Sequence, residues 1–579
     1  MKDAYMKKIL GICTILFVCC LSLMAGPNYQ RIIPVSSPIW TALDALYIQS
    51  GHAAPPSSGP WSVDELLLDL EKIDISTLTP ASLKLYDYIV EELRPRELLG
   101  AGSAFSMNIG GDVDLNMIAH TNPTVFDKES DWLRPIVSNN PLLTIFAETW
   151  VGSIGYAYGE LSLGLTSPVA SILYVGAPAG RNSREPDLRY SSRFATNIPF
   201  LSAGSLSMNF PYRGMISVGS SHWNLLVGRD VARWGTGKTG NLMIGGNLPF
   251  NDMLRLSAYT DWFKYSFLLS FFTHPMNIGK AHTESIEGLQ FLMAHRLEFR
   301  FLQDRINLVL QEAIMYQSVD GTVSPQILNP MLLFHNYYIA ANANSLAGIE
   351  LDYTPIPGLN LYFQFVMDDA AVFGEPKQPA SGASPDAFGY LLGVRGMIPH
   401  GSGYWYGTLE GVYTDPFLYL RERAVGKAYG YLDYVGVVRE FDSTVGYQTR
   451  YLRKYITYRY GGDAAVGDLC FGYRVPALWH VECETFFMAH GVVRSDSAYG
   501  QYTGTELVPH TPSTSNPFDP SENGSVEYTL SVGVHGGWRP LRWLSLQAGA
   551  DVVTQWNRWN VERSAATDIQ FFLGVSCVL

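Results

Sequence analysis

Beyond about residue 101, hydrophobic residues fall on every second position. Leu143, Ile145, Ala147 and Val151 alternate with Thr144, Glu148 and Gly152, and Leu161, Leu163 and Leu165 with Glu160, Ser162 and Gly164. Leu361, Phe363, Phe365 and Met367 alternate with Tyr362, Gln364 and Asp368, and Leu544, Leu546, Ala548 and Ala550 with Ser545, Gln547, Gly549 and Asp551. A period of two predicts strands with one apolar and one polar face. Half-apolar strands also build soluble sandwiches, so alternation alone leaves the fold open.

The last stretch narrows the choice. Ile569, Phe571, Leu573, Val575, Cys577 and Leu579 occupy alternate positions beside Asp568, Gln570, Gly574 and Ser576. Such a band fits the closing strand of a transmembrane barrel, with Leu in place of the commoner Phe at the end. Connections also sort into two kinds. Thr354–Gly358, Gln303–Arg305 and Trp538–Arg542 are tight, whereas 166–200, 370–388, 436–460 and 494–525 are long. Short turns at one end and long loops at the other is the asymmetry of outer-membrane barrels. At ~25 residues per strand and connection, residues 101–579 predict an all-β antiparallel transmembrane barrel of about 18 strands.

Residues 26–100 have a helical period instead. Ser37-Pro38 opens a run with Trp40, Leu43, Leu46 and Tyr47 on one face. Ser62-Val63-Asp64-Glu65 reads as a capping box before Leu66, Leu67, Leu70 and Ile73. Thr79-Pro80 starts a third helix carrying Leu83, Tyr86, Ile89, Val90 and Leu93. These helices form a small N-terminal bundle, either a periplasmic domain or a plug at one barrel end. Residues 1–25 have the layout of a cleaved signal peptide, with Lys2, Lys7 and Lys8 before the apolar run Ile9–Leu21. A lipoprotein signal at Cys19 or Cys20 is the competing reading.

Composition then fits export to an outer membrane. Charged residues are 16% of the chain and aromatics 13%, with 34 Tyr and 13 Trp. Lipid-facing positions remove sites for charge, and aromatic residues populate interfacial belts. Cleavage after Ala25 leaves 37 basic and 52 acidic residues, which gives no general attraction for nucleic acid. Of the six cysteines, Cys470, Cys483 and Cys577 remain; alternation places Cys470 and Cys483 on opposite strand faces, so free thiols are expected.

Four motifs carry possible chemistry. Gly235-Thr236-Gly237-Lys238-Thr239-Gly240 resembles a phosphate loop, but Ala232 stands where such a loop needs glycine and no helix follows. His400-Gly401-Ser402-Gly403 is the nearest thing to a hydrolase element and reads as a turn. His480, Glu482 and Glu484 share a strand face that can bind a cation, although lining the lumen is the simpler role, so no metal or other cofactor is assigned. Arg450-Tyr451-Leu452-Arg453-Lys454-Tyr455 is the dense basic and aromatic cluster of an acidic chain. Tyrosine rings stack on sugar faces and arginine forks pair with carboxylates, which marks Arg450, Tyr451, Arg453, Lys454 and Tyr455 as candidate ligand contacts.

A further set of short motifs follows in order. It runs through Pro60-Trp61-Ser62, Gly228-Arg229-Asp230, Trp234-Gly235-Thr236-Gly237 and Asn247-Leu248-Pro249-Phe250. Ala294-His295-Arg296-Leu297-Glu298, the run Leu310–Tyr316, Leu328-Asn329-Pro330, Asp368-Asp369 and Tyr413-Thr414-Asp415-Pro416 complete it. In these the chain resembles the capsule-assembly Wzi family of outer-membrane barrels. The resemblance implies a barrel with helices at its periplasmic end and a lectin-like, non-catalytic role in holding capsular or other surface polysaccharide. It also implies the outer-membrane bilayer and the barrel-assembly machinery as partners. Arg229, Asp230, Trp234, Gly235, Arg296 and Asp368 then read as structural, with Arg229, Asp230, Arg296 and Asp368 in polar pairs inside the barrel. A porin or solute channel is the second reading and a barrel hydrolase the third.

Overall fold

The computed structural model describes residues 29–94, 99–101, 105–126, 141–165, 172–174, 188–190, 193–198, 206–208, 210, 212–272, 288–318, 321–323, 343–368, 387–419, 435–442, 448–493, 512–516 and 519–579. The expected signal peptide lies outside these residues.

Eighteen long antiparallel strands close into a barrel. They are β1 Phe105–His120, β2 Leu143–Val151, β3 Gly155–Leu165, β4 Gly214–Ser220, β5 Trp223–Asp230 and β6 Asn251–Tyr259. Next come β7 Phe263–Phe272, β8 Leu289–Phe301, β9 Ile306–Ser318, β10 Ala343–Ile356, β11 Leu359–Asp368 and β12 Ala387–His400. The last are β13 Gly403–Thr414, β14 Ala464–Val475, β15 Trp479–His490, β16 Glu527–Leu541, β17 Leu544–Trp556 and β18 Ala565–Val578. Closure runs through β18 and β1, with Phe571 opposite Ala119 and Val575 opposite Leu115.

The alternation has its expected cause. In β13, Trp405 and Leu409 point outward and are exposed, whereas Tyr404, Glu410 and Val412 point inward and are buried. Tight turns join β2–β3, β4–β5, β6–β7, β8–β9, β10–β11, β12–β13, β14–β15 and β16–β17, all at one end. Outward Trp223, Trp405, Trp479 and Trp538 lie near that end, and Tyr390, Phe487, Tyr528 and Trp556 near the other, as two interfacial girdles. Among the described residues no helix is long and apolar enough to cross a membrane, so strands do the spanning. Cys470, Cys483 and Cys577 are free, with Cys470 facing inward opposite Glu484 and Cys483 outward opposite Phe471.

Three helices sit at the tight-turn end, which in outer-membrane barrels is periplasmic: α1 Pro38–Gln49, α2 Val63–Glu71 and α3 Pro80–Leu93. Ser37, Ser62 and Thr79 cap them as their sequence positions predict. The capping box is half formed, because Ser62 Oγ accepts from Glu65 N while the Glu65 carboxylate turns to Lys264 of β7. α1 is buried nearly all round, since it lies inside the barrel against β11 and β12. In α3 the buried stripe is Ala81, Ser82, Leu85, Ile89 and Leu93; Leu83, expected inside, is exposed because it falls off this spacing of about four.

Candidate functional site

The lumen is filled along the β4–β13 wall, and the filling starts from wall charges. Arg296 of β8 is fully buried, donates to both Glu350 carboxylate oxygens at 2.8 Å and to Ser57 Oγ at 2.7 Å, and pairs with Glu298. Glu298 in turn accepts from Ser57 N at 3.2 Å and Ser58 Oγ at 2.7 Å. Arg300 donates to the Ala53 and Ala54 carbonyls at 3.0 and 2.8 Å, and Arg255 donates to that of Pro60. Buried charges need partners, and here the N-terminal segment supplies carbonyl and hydroxyl oxygens to satisfy them.

Above this layer the connection 231–250 turns inward. Trp234, Leu242, Met243 and Ile244 are buried in it, and Trp234 pairs with Ser58 of the N-terminal segment. Gly235 has φ +110°, and a Cβ there would lie 2.4 Å from Asn241 Oδ1, so a side chain is excluded on two counts. The glycine-rich run does cradle an anion, but that anion is the protein's own. Glu410 of β13 accepts from Lys238 N at 2.7 Å, Thr239 N at 2.8 Å and Thr239 Oγ1 at 2.6 Å, and from Tyr362 at 2.7 Å.

A third layer comes from the connection between β13 and β14. Tyr419 donates to the Leu242 carbonyl at 2.8 Å, and Tyr458 Oη lies 2.9 Å from Thr239 Oγ1. Asn247 donates to the Thr457 carbonyl at 2.5 Å. The stretch 436–460, expected as an open loop, is therefore two things. Val435–Asp442 and Gln448–Tyr455 form an antiparallel hairpin, Arg439 opposite Tyr451, and Ile456–Tyr458 descend into the lumen as buried residues.

The candidate contacts Arg450, Tyr451, Arg453 and Lys454 lie on the hairpin's second strand, and their side chains are outside the described residues. Tyr455 ends that strand, is half-buried and packs on Tyr419 at 6.2 Å between ring centroids.

Among the motif residues, Asp230 is buried and takes two bonds from Arg213 at 2.8–2.9 Å. Asp368 is buried and accepts from Tyr419 N at 2.9 Å. Arg229 departs from the expectation of an interior pair. Neighbours on a strand face opposite sides, so with Asp230 inside, Arg229 points outward. There it forks onto Asp252 at 2.6 and 2.8 Å and lies over the Tyr212 and Phe250 rings.

His400 and Ser402 belong to the exposed β12–β13 turn, where Gly401 takes φ +58°. The proposed trio of His480, Glu482 and Glu484 is also revised. Register puts Glu482 opposite His535 and His480 opposite Gly537, so His535 joins the two glutamates in His480's place. Sequence gave no signal for His535, because strand pairing between β15 and β16 brings it in from 51 positions beyond Glu484.

No sequence-family model matches the chain, and no curated protein matches it. Solved structures do. Wzi of Escherichia coli, an outer-membrane protein involved in group 1 capsule assembly and itself a carbohydrate-binding β-barrel, is similar with a TM-score of 0.55 at 12% identity. The likeness covers 95% of this chain and 99% of that one. The outer-membrane channel DcaP of Acinetobacter baumannii follows at a TM-score of 0.34 and 7% identity, over 83% of this chain and 99% of that one. The motif-based resemblance thus extends to three dimensions: the chain is a closed outer-membrane-type barrel with the fold of Wzi.

Proposed function

We propose that this protein is a non-enzymatic outer-membrane barrel that binds or anchors surface polysaccharide through loops at the end opposite the tight turns. The observation that carries this reading is the rooting of the 435–455 hairpin. Its base, Ile456–Tyr458, is locked into the plug by Asn247 and Thr239. A basic and aromatic hairpin held on a rigid, filled barrel suits a binding surface, since fixed contacts lose less entropy on engaging a flexible glycan. The carbohydrate binding of Wzi, on the same fold, supports the same reading.

The test is retention of acidic polysaccharide by the purified barrel, wild type against Arg450→Ala, Tyr451→Ala, Arg453→Ala and Lys454→Ala. Loss in these variants supports the site; full retention by all four discards it. A channel is the second reading, favoured by the β15–β17 wall, where lumen-facing Gln547 is exposed and Glu482 and Glu484 are 18% and 27% exposed. Steady conductance of the intact protein in planar bilayers would select it over the lectin reading.

A further inference from the structure

The β15–β16 wall holds a group of polar side chains that the inward connection 231–250 meets through Lys238. His535 is buried, and its Nε2 lies 2.7 Å from Asp551 Oδ1 of β17. In the tautomer that donates from Nε2 to Asp551, Nδ1 is the nitrogen turned toward Glu482 and Glu484. It lies 3.7 Å from Glu482 Oε1 and 3.9 Å from Glu484 Oε2.

The second oxygen of each glutamate is already held. Tyr406 donates to Glu482 Oε2 at 2.7 Å, and Lys238 Nζ sits 3.0 Å from Glu484 Oε1. Each of the three residues is therefore anchored by one atom and presents another to a common point, with all three within 4.8 Å of one another. Tetrahedral ligands at ~2.1 Å from a metal stand about 3.4 Å apart, close to the spacings here. Asp551 behind His535 supplies the carboxylate–histidine pairing that orients metal-bound imidazoles.

A second observation points the same way. Asp468 of β14 is 2% exposed, and no donor group reaches its carboxylate oxygens, which meet the Glu484 carboxyl instead. It faces Glu484 and Lys238. Asp468, Glu482, Glu484 and Asp551 thus set four carboxylates against two fixed cations, Lys238 and Arg474, with the His480 and His535 rings beside them. Partly buried carboxylates in such excess attract a further cation or bound protons.

We propose that Glu482, Glu484 and His535 form a divalent transition-metal site of the Zn2+ type on the lumen wall, with Asp551 as the positioning carboxylate and Asp468 as the adjacent countercharge. One nitrogen and two oxygens suit Zn2+ better than Ca2+ or Mg2+, which take oxygen sets. The site is independent of the glycan reading.

The test titrates Zn2+ alone into chelator-stripped, full-length barrel in detergent, with folding read by heat-dependent gel migration. One equivalent per chain is expected, weakened at least about tenfold in His535→Gln and Glu484→Gln and roughly tenfold in Asp551→Asn. Wild-type affinity in both ligand variants, or no Zn2+ uptake by the wild type, overturns the site. Should the variants fail to fold, X-ray absorption of the Zn2+-loaded wild type decides. A first shell containing one imidazole supports the assignment, and one without imidazole overturns it.

Discussion

The carboxylate of Asp44 in α1 meets the guanidinium of Arg395 in β12 at 2.8 Å, across 351 residues of sequence. Arg395 holds Asp352 of β10 at 3.0 Å as well, so one wall cation ties helix and barrel together. Burial pushes Asp44 up to about 6 despite Arg395, and pushes Glu65 up to about 6 despite Lys264 and Arg255. A raised carboxyl pKa means that the folded plug binds more protons than the unfolded one between the ordinary and the raised values. The contribution of these two carboxyls to plug stability therefore falls as pH rises from about 4 to about 6 and levels off above. Hydrogen exchange of α1, corrected for intrinsic rates, is expected to show strongest protection near the acid end. Asp44→Asn should shrink that dependence; an unchanged profile would contradict the account.

How much of this was legible in the sequence follows from the range of each interaction. Alternation such as Leu544, Leu546 and Ala548 fixes strand faces locally, and Ser37, Ser62 and Thr79 cap helices within three residues. Tight turns follow from the same local signals. The inward course of 231–250 and 456–458 does not, because aperiodic segments are placed by partners such as Glu410, 172 residues from Lys238. The metal-type trio failed for a related reason: Glu482 and Glu484 were visible by spacing, but His535 enters only through β15–β16 register.

Glu410 is the anchor of the inward loop. Replacing it with Ala leaves the Lys238 and Thr239 N–H groups, the Thr239 hydroxyl and the Tyr362 hydroxyl without their shared acceptor. Each buried donor so stranded costs about 1–3 kcal/mol. The loop is expected to loosen before the barrel does, since the strand ladder is untouched. Glu410→Ala should therefore raise single-channel conductance in planar bilayers above wild type, while heat-dependent gel migration still reports a folded barrel. Wild-type conductance in a folded variant would show that 231–250 does not depend on this carboxylate.

Gly235 tests the same loop through the backbone. Its φ of +110° strains any L side chain, and the added Cβ would also lie 2.5 Å from Gln364 Nε2. Gln364 accepts from Leu242 N at 3.0 Å and donates to Asn241 at 2.9 Å, so displacing it breaks two bonds of the plug. Gly235→Ala is expected to cost about 1–3 kcal/mol from backbone strain alone. Thr236→Ala, its neighbour, serves as the comparison. Proteolytic nicking within 231–250 should rise in the first variant and stay near wild type in the second.

The face assignment of the barrel is tested by two adjacent residues. Leu409 lies mid-strand in β13, points outward and is 59% exposed, the position of a lipid-facing side chain. Arginine there meets hydrocarbon, which costs about 2–4 kcal/mol near the bilayer midplane. Thr408 points the other way, level with Cys470 and Glu484 on the lumen wall. Arginine at 408 reaches an acidic, half-exposed surface and gains partners. In guanidinium unfolding from liposomes, Leu409→Arg should lower the midpoint clearly, whereas Thr408→Arg should leave it near wild type. The reverse order would mean that β13 is threaded with its faces exchanged, and every lumen contact assigned to it would fall with that result.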